Sequence, residues 1–359
     1  MSEIIRLHAE QEFAEELAAL KKADSYPKPP NWELSPWAVL QYLMGGTLDN
    51  GFEISPKYIG NARVIEIAIA TLATDRALLL IGIPGTGKSW VSEHLAAAVS
   101  GDSTLLVQGT AGIAEDALRY SWNYAQLLAH GPSRDAMVPS PIMRAMRTGK
   151  VARVEELTRI PADVQDSLIT LLSEKIMPVP ELDEEEQARK GFNVIATANN
   201  RDQGVNELSS ALKRRFNTIV LPLPATLEEE ARIVETRTSK LGNSLEIPAS
   251  KPAIEEIRRL VTIFRELREG KTQDGKSRLK SPSSTLSTAE AISVVTHGLS
   301  LAAHFGSGEL TGHDLAGGLI GAVVKDPERD KVILEEYLET IIKERDGWTD
   351  IYRACKELI

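Results

Sequence analysis

Cysteine is nearly absent. The chain of 359 residues holds one, Cys355, so a disulfide framework is excluded and a cysteine-based metal site has almost no ligands to draw on. That scarcity fits a reducing cytosol, and a cytoplasmic location is expected. Long apolar runs are missing as well. None approaches the ~20 residues needed to span a membrane, and the opening MSEIIRLHAEQEF is too charged for a signal peptide. The six histidines are scattered. His297 and His304 have no acidic or thiol partner nearby that would make a metal site. Positive charge is in deficit, with a formal net charge of -10. No basic stripe with interleaved aromatics appears, which argues against nucleic acid as a partner. No repeat at solenoid spacing is present.

What remains is the material of a full-sized core, in a chain long enough for two domains. Residues 4–22 read as an amphipathic helix, with Ile4, Leu7, Phe13, Leu17 and Leu20 spaced for one face. The proline-rich SYPKPP stops it, so residues 1–30 form an N-terminal helix and linker. A short helix over 36–43 and the turn-rich LDNG follow. From Asn61 onward helices and strands alternate. Helices are expected over 62–73 and 89–99. Strands are expected at RALLLIGI (76–83), STLLVQG (103–109), KVARVEE (150–156), FNVIATANN (192–200) and NTIVLPLP (217–224). The alternation predicts an α/β core over residues 31–225, with a mainly parallel five-stranded sheet covered by helices on both faces. From Leu227 strand signals vanish, and residues 226–359 read as a C-terminal all-helical domain with a loop over 271–284.

The strongest motif is GIPGTGKS, which has the spacing G-x-x-x-x-G-K-S of a P-loop. A strand precedes it and a helix follows, as the chemistry requires. Its glycines let amide groups turn inward around phosphate oxygens, and the start of the next helix favours anions. Lys88 would neutralise the β and γ phosphates, and the Ser89 hydroxyl would ligate Mg2+. A hydrolase also needs an acid at a neighbouring strand tip for the hydrated metal, and a group that orients the attacking water. Glu155 and Glu156, which end KVARVEE, are placed for those two roles. Asn199 ends the fourth strand, where an amide could touch the γ phosphate. Arg214 and Arg215 precede the fifth strand, and a forked guanidinium there suits a phosphate supplied by a neighbouring subunit. No N-K-x-D base-reading motif is visible, so ATP is expected in preference to GTP.

This order of motifs resembles the AAA+ ATPases, and within them the MoxR branch. The resemblance is carried by YIGNARVIE, GIPGTGKS, PIMRAMRTGKVARVEELTRIPADVQDSLITLLSEK, FNVIATANN and VNELSSALKRRFN. It implies a homo-oligomer, a hexameric ring with ATP and Mg2+ bound between subunits. Tyr58, Ile59 and Gly60 match the segment beside the adenine. Gly82, Pro84, Gly85, Thr86, Gly87, Lys88, Ser89 and Trp90 match the phosphate-binding stretch. Glu155 matches the Walker B acid, with Ser89 on the metal, and Glu156 matches the catalytic Glu. Asn199 matches sensor 1, and Arg215 the arginine finger, with Arg214 as helper. Residues 109–124 match the insertion in the second helix, and residues 175–192 the hairpin before sensor 1. The acidic run over 181–186 is expected to be a solvated hairpin tip.

Two departures from the family stand out. The Walker B acid is Glu instead of Asp, with Arg153 inside the strand. Arg153 lies two residues before Glu155, hence on the same side, and is expected to pair with an acid and temper the site. The family also places an arginine early in a lid helix, where LSTAEAIS offers Ala289 or Glu290. The implied function is an ATP hydrolase that remodels or matures a client in a chaperone-like way, with a von Willebrand factor A domain protein as partner. The alternatives are a nucleotide-gated scaffold with slow turnover, which the departures favour, and a DNA-directed motor.

Overall fold

In the computed structural model the described residues are 4–199, 206–248 and 253–359. The RDQG turn, Asn200 at the end of the expected fourth strand and the first residue of VNELSS lie outside them. By internal contacts the chain falls into two units. One is residues 7–83 with 87–221; the other is residues 222–359 with short pieces at 84–86 and before residue 7.

The first unit begins with a correction. The single helix expected over 4–22 is two, α1 (Ala9–Glu12) and α2 (Ala14–Ala23), broken at Phe13 with φ -113° and ψ 29°. The break turns the Phe13 ring inward, 5.2 Å from His94 and edge-on to Tyr42 and Trp90. Ile4 and Leu7 stay exposed. One unbroken apolar face does not account for this division.

The expected strands form one sheet: β1 (Ala77–Gly82), β2 (Leu106–Gln108), β3 (Val151–Glu155), β4 (Asn193–Asn199) and β5 (Phe216–Val220). Their order is β5-β1-β4-β3-β2, and every pairing is parallel. Successive side chains alternate between faces. Leu78, Leu80, Val151, Ile195 and Ile219 join a core with helices α3 (Pro36–Met44), α4 (Ala62–Leu72) and α5 (Lys88–Ser100). Leu79, Val107, Ala152, Val154 and Ala196 face the other core. β2 is shorter than expected and is not fully buried. It lies at the sheet edge, where Leu105 and Val107 point inward and Leu106 is exposed.

The second face is closed by α7 (Pro141–Thr148) and α8 (Ala162–Glu174), reached after a short helix α6 (Tyr124–His130). Two small hairpins flank this face. Tyr120–Trp122 pairs with Met137–Pro139, and Ile176–Val179 pairs with Glu184–Gln187. The acidic run sits at the tip and in the return strand of the second hairpin, and Glu181, Asp183, Glu184 and Glu185 are exposed, as expected. Glu184 pairs with Arg134 at 2.6 Å, Glu186 with Arg147 at 2.6 Å, and Glu181 accepts from the Tyr120 hydroxyl at 2.6 Å. Arginines from the neighbouring segments absorb charge that the sequence run alone leaves uncompensated. A last short helix, α9 (Ser210–Lys213), precedes β5.

The second unit is helical: α10 (Leu227–Ser244), α11 (Ile254–Glu269), α12 (Thr288–Phe305), α13 (Gly312–Val323), α14 (Pro327–Tyr337) and α15 (Thr349–Leu358). Val234, Phe264, Val295, Leu319 and Leu334 share its core. The Glu290 side chain accepts from the Ser287 amide at 2.9 Å, while Ser287 Oγ accepts from the Glu290 amide at 3.2 Å. This is a capping box at the start of α12. It explains an acid where the family pattern leads one to look for an arginine: the carboxylate is folded back onto its own helix start.

Candidate functional site

Strand register sets the site. Asn199 lies opposite Gly82 across the β4–β1 pair, and Gln108 opposite Glu155 across β2–β3. The C-terminal ends of the strands thus leave the sheet at one edge, where open α/β sheets bind ligands.

The GIPGTGKS loop runs from β1 into α5. Gly85 and Gly87 take φ of +77° and +79°, left-handed angles that residues with side chains rarely adopt. Pro84 and Thr86 lie between β1 and Gly87. Gly87 is the N-cap of α5 and offers no side chain to the first amides of that helix. Lys88, the first residue of α5, is buried. Its ammonium donates to the carbonyls of Gly82 at 3.1 Å and Ile83 at 2.9 Å.

Ser89 follows, and its hydroxyl donates to Glu155 Oε2 at 2.6 Å. Glu155 is 3% exposed, and its carboxylate is heavily supplied with donors. Oε2 also accepts from Thr197 Oγ1 at 2.6 Å, while Oε1 accepts from Ser92 Oγ at 2.7 Å and Arg153 Nη2 at 2.8 Å. Burial pushes the Glu155 pKa up, but the Arg153 guanidinium and the three hydroxyls outweigh it and hold it below its ordinary value. The pairing expected of Arg153 is present.

Glu156 turns the chain out of β3 in the left-handed region, at φ +56°. An acidic residue there is uncommon, and such backbone often marks a functional position. Its amide donates to Thr197 Oγ1 at 3.1 Å. Its Oε2 accepts from Asn199 Nδ2 at 2.9 Å. The strand-ending acid and the strand-ending amide therefore meet.

Gly109, just past β2, lies tight against this turn. Its amide donates to the Glu155 carbonyl at 2.7 Å. A Cβ there would fall 2.4 Å from the Glu156 carbonyl oxygen and 2.8 Å from that of Glu155. Gly109→Ala is expected to lower unfolding free energy by about 1–3 kcal/mol, as overpacking does, read by denaturant titration. Unchanged stability would mean that the backbone yields there freely.

Tyr58, Ile59 and Gly60 lead into α4. Tyr58 is buried, Ile59 partly so, and Gly60 takes φ +150°, where an added Cβ would fall 2.9 Å from the Tyr58 hydroxyl oxygen. Trp90 ties this segment to α5, because its indole N–H donates to the Lys57 carbonyl at 2.7 Å.

Arg214 and Arg215 are not brought to this edge. They precede Phe216, which lies opposite Ala77 at the other end of β1. Ala77 and Gly82 are the two ends of this six-residue strand, five steps or roughly 16 Å apart at the usual rise. Arg215 donates to Ser173 Oγ at 2.8 Å and to the Ala211 carbonyl at 2.7 Å. Arg214 is exposed, and its carbonyl accepts from Arg76.

Sequence reasoning missed Ser92, Thr197 and Gly109. Periodicity carried a signal for the first two: Ser92 is one helical turn beyond Ser89, and Thr197 is two residues before Asn199 on the same side of β4. No local pattern marked Gly109.

Two family models match the chain. One is described as "AAA domain (dynein-related subfamily)" and covers residues 77–216; the other, "YehL-like AAA+ ATPase C-terminal domain", covers residues 228–357. The chain is 42% identical over 356 residues to the uncharacterized protein YehL of Escherichia coli (strain K12), covering 96% of this chain and 95% of that one. It is 27% identical over 199 residues to protein NorQ of Paracoccus denitrificans (strain Pd 1222), covering 55% of this chain and 69% of that one. Among solved structures, NtrX from Brucella abortus in complex with ADP is similar at a TM-score of 0.51 and 15% identity. That match covers 84% of this chain and spans 66% of the length of that one, and it shows the fold alone.

Proposed function

The chain belongs to the AAA+ ATPases of the MoxR and YehL type, and from that premise we propose that it binds ATP with Mg2+ and hydrolyses the β–γ phosphoanhydride. The observation that carries the reading is the meeting of two pairs at one sheet edge beside GIPGTGKS: Ser89 with Glu155 at 2.6 Å, and Asn199 with Glu156 at 2.9 Å.

In this reading Gly82, Pro84, Gly85, Thr86, Gly87, Lys88, Ser89 and Trp90 hold the nucleotide, and Tyr58, Ile59 and Gly60 border the adenine. Glu156 takes the proton from the attacking water, and Asn199 holds that carboxylate and the water in line. Arg215, with Arg214, serves the site of a neighbouring subunit, which suits its place at the far end of β1. The donor set fits Mg2+. A serine hydroxyl and a carboxylate are hard oxygen ligands, and among the described residues no cluster of three His, Cys, Asp or Glu forms a closed cage. An ion bound by one or two protein groups, waters and phosphates is the usual Mg2+ arrangement. When bound, Mg2+ would supply charge neutralisation on the phosphates.

We further propose a hexameric ring in the cytosol whose ATP cycle remodels or matures a client in a chaperone-like way, with a von Willebrand factor A domain protein as partner. Resemblance to the MoxR branch supports the ring, the client and the partner; the lone Cys355, buried and unpaired, supports the compartment. The test combines light scattering with kinetics. Assembly in ATP is expected, together with a turnover loss in Arg215→Ala of at least about tenfold, or 1.4 kcal/mol of barrier. A protein that stays monomeric in ATP, with Arg215→Ala turning over normally, would sink the ring reading. One observation favours a second reading, a nucleotide-gated scaffold with slow turnover: Glu155 is already engaged by Arg153 and three hydroxyls. Turnover measured with and without candidate partners separates the two.

A further inference from the structure

A buried guanidinium inside a central strand is costly unless its donors are met. Arg153 is 5% exposed on the α5 side of β3. Its Nε donates to Ser92 Oγ at 2.8 Å, Nη1 to the Ser103 carbonyl at 3.0 Å, and Nη2 to the Ser89 carbonyl at 3.1 Å and Glu155 Oε1 at 2.8 Å. Ser103 is fixed from its other side, since its amide and hydroxyl donate to Glu10 at 3.2 and 2.7 Å. The guanidinium therefore sits in a rigid frame built from α5, the segment before β2 and, through Glu10, helix α1.

That frame divides the Glu155 carboxylate. Oε1 is drawn toward Arg153 and Ser92, while Oε2 is left to Ser89 and Thr197. An aspartate, one carbon–carbon bond or about 1.5 Å shorter, reaches one pair or the other but not both. We infer that Arg153 is a positioning residue matched to the glutamate: it anchors Oε1 against α5 and so fixes Oε2 as the oxygen presented to the Ser89 hydroxyl. Glu at 155 and Arg at 153 then form one device, in which each residue works only with the other. The inference rests on the reading of Ser89 and Glu155 as the metal-side pair.

The test is equilibrium binding of a fluorescent ATP analogue to the full chain across a Mg2+ titration, with no turnover needed. Glu155→Asp, Arg153→Met and Arg153→Lys are each expected to raise the half-saturating Mg2+ concentration by about tenfold, the lower end for residues that support metal ligands. Binding in chelator should stay as in the wild type. In Arg153→Met/Glu155→Asp, the shorter acid no longer has an arginine drawing it back, so the midpoint should lie nearer wild type than in Glu155→Asp alone. Single effects that multiply in the double variant would overturn the inference. If the methionine variants fail to fold, an unshifted midpoint in folded Arg153→Lys overturns it instead. Glu155→Gln separates the two levels. A wild-type midpoint there removes the metal-side reading and the inference with it; a shifted midpoint with multiplying singles removes the inference alone.

Discussion

Glu156→Gln should bind ATP as tightly as the wild type and hydrolyse it about 10²–10⁴ times more slowly, the usual range for loss of a positioned general base. The substitution is nearly isosteric. A glutamine oxygen still accepts from Asn199 Nδ2, now at 2.9 Å from Glu156 Oε2, and the backbone bond from the 156 amide to Thr197 Oγ1 is untouched. The left-handed turn should survive, since it is made by main-chain contacts. What is lost is the ability to take a proton from water. Single-turnover hydrolysis and nucleotide affinity, measured side by side, check the split. Hydrolysis within about threefold of wild type would remove Glu156 from the catalytic role. An equal loss of affinity would instead assign it to binding. If the slowed variant holds ATP, it also becomes a trap with which to capture client and partner proteins.

The sheet was legible because its signals are local. Each buried strand is an apolar run bounded by turn residues, and GIPGTGKS announces its strand-loop-helix setting by spacing alone. The site was legible for the same reason where one residue ends one strand, as Glu155, Glu156 and Asn199 do. It was not legible where three segments converge. The Arg153 frame draws on α5, on Ser103 and on Glu10, which are separated by many residues in the chain. Period-two reasoning could predict that Arg153 and Glu155 share a face, but not that Ser92 would bond to both. The N-terminal helix failed differently. Its apolar spacing was genuine, yet the aromatic cluster of Tyr42, Trp90 and His94 took Phe13 out of helical register. The acidic run was legible as an exposed hairpin tip, but its countercharges, Arg134 and Arg147, lie far upstream and left no local signal.

The helical unit makes the second large prediction. Glu230 is 0% exposed and anchors three partners. Arg268 grips it with both terminal nitrogens, Nη1 to Oε1 at 3.1 Å and Nη2 to Oε2 at 2.8 Å. Arg265 adds a bond at 3.2 Å, and the Thr288 hydroxyl, in the first turn of α12, one at 2.8 Å. The carboxylate thus joins α10, α11 and α12 through a forked, charge-assisted contact. Glu230→Ala leaves a guanidinium with 7% side-chain exposure facing a hole. The expected cost is about 3–5 kcal/mol, because an uncompensated buried charge is worse than no charge at all. Hydrogen exchange of the full chain localises it, with faster exchange expected through α10, α11 and α12. Glu230→Gln, which keeps the shape and half of the acceptors, should lose less. The pair Glu230→Leu/Arg268→Met should recover most of the loss, since well-packed apolar groups often replace a buried ion pair at little cost. Were the alanine variant to exchange like wild type, the ion cluster would be incidental to the unit. Were the double variant no better than the alanine, the penalty would lie in lost packing, and the charge argument would fail.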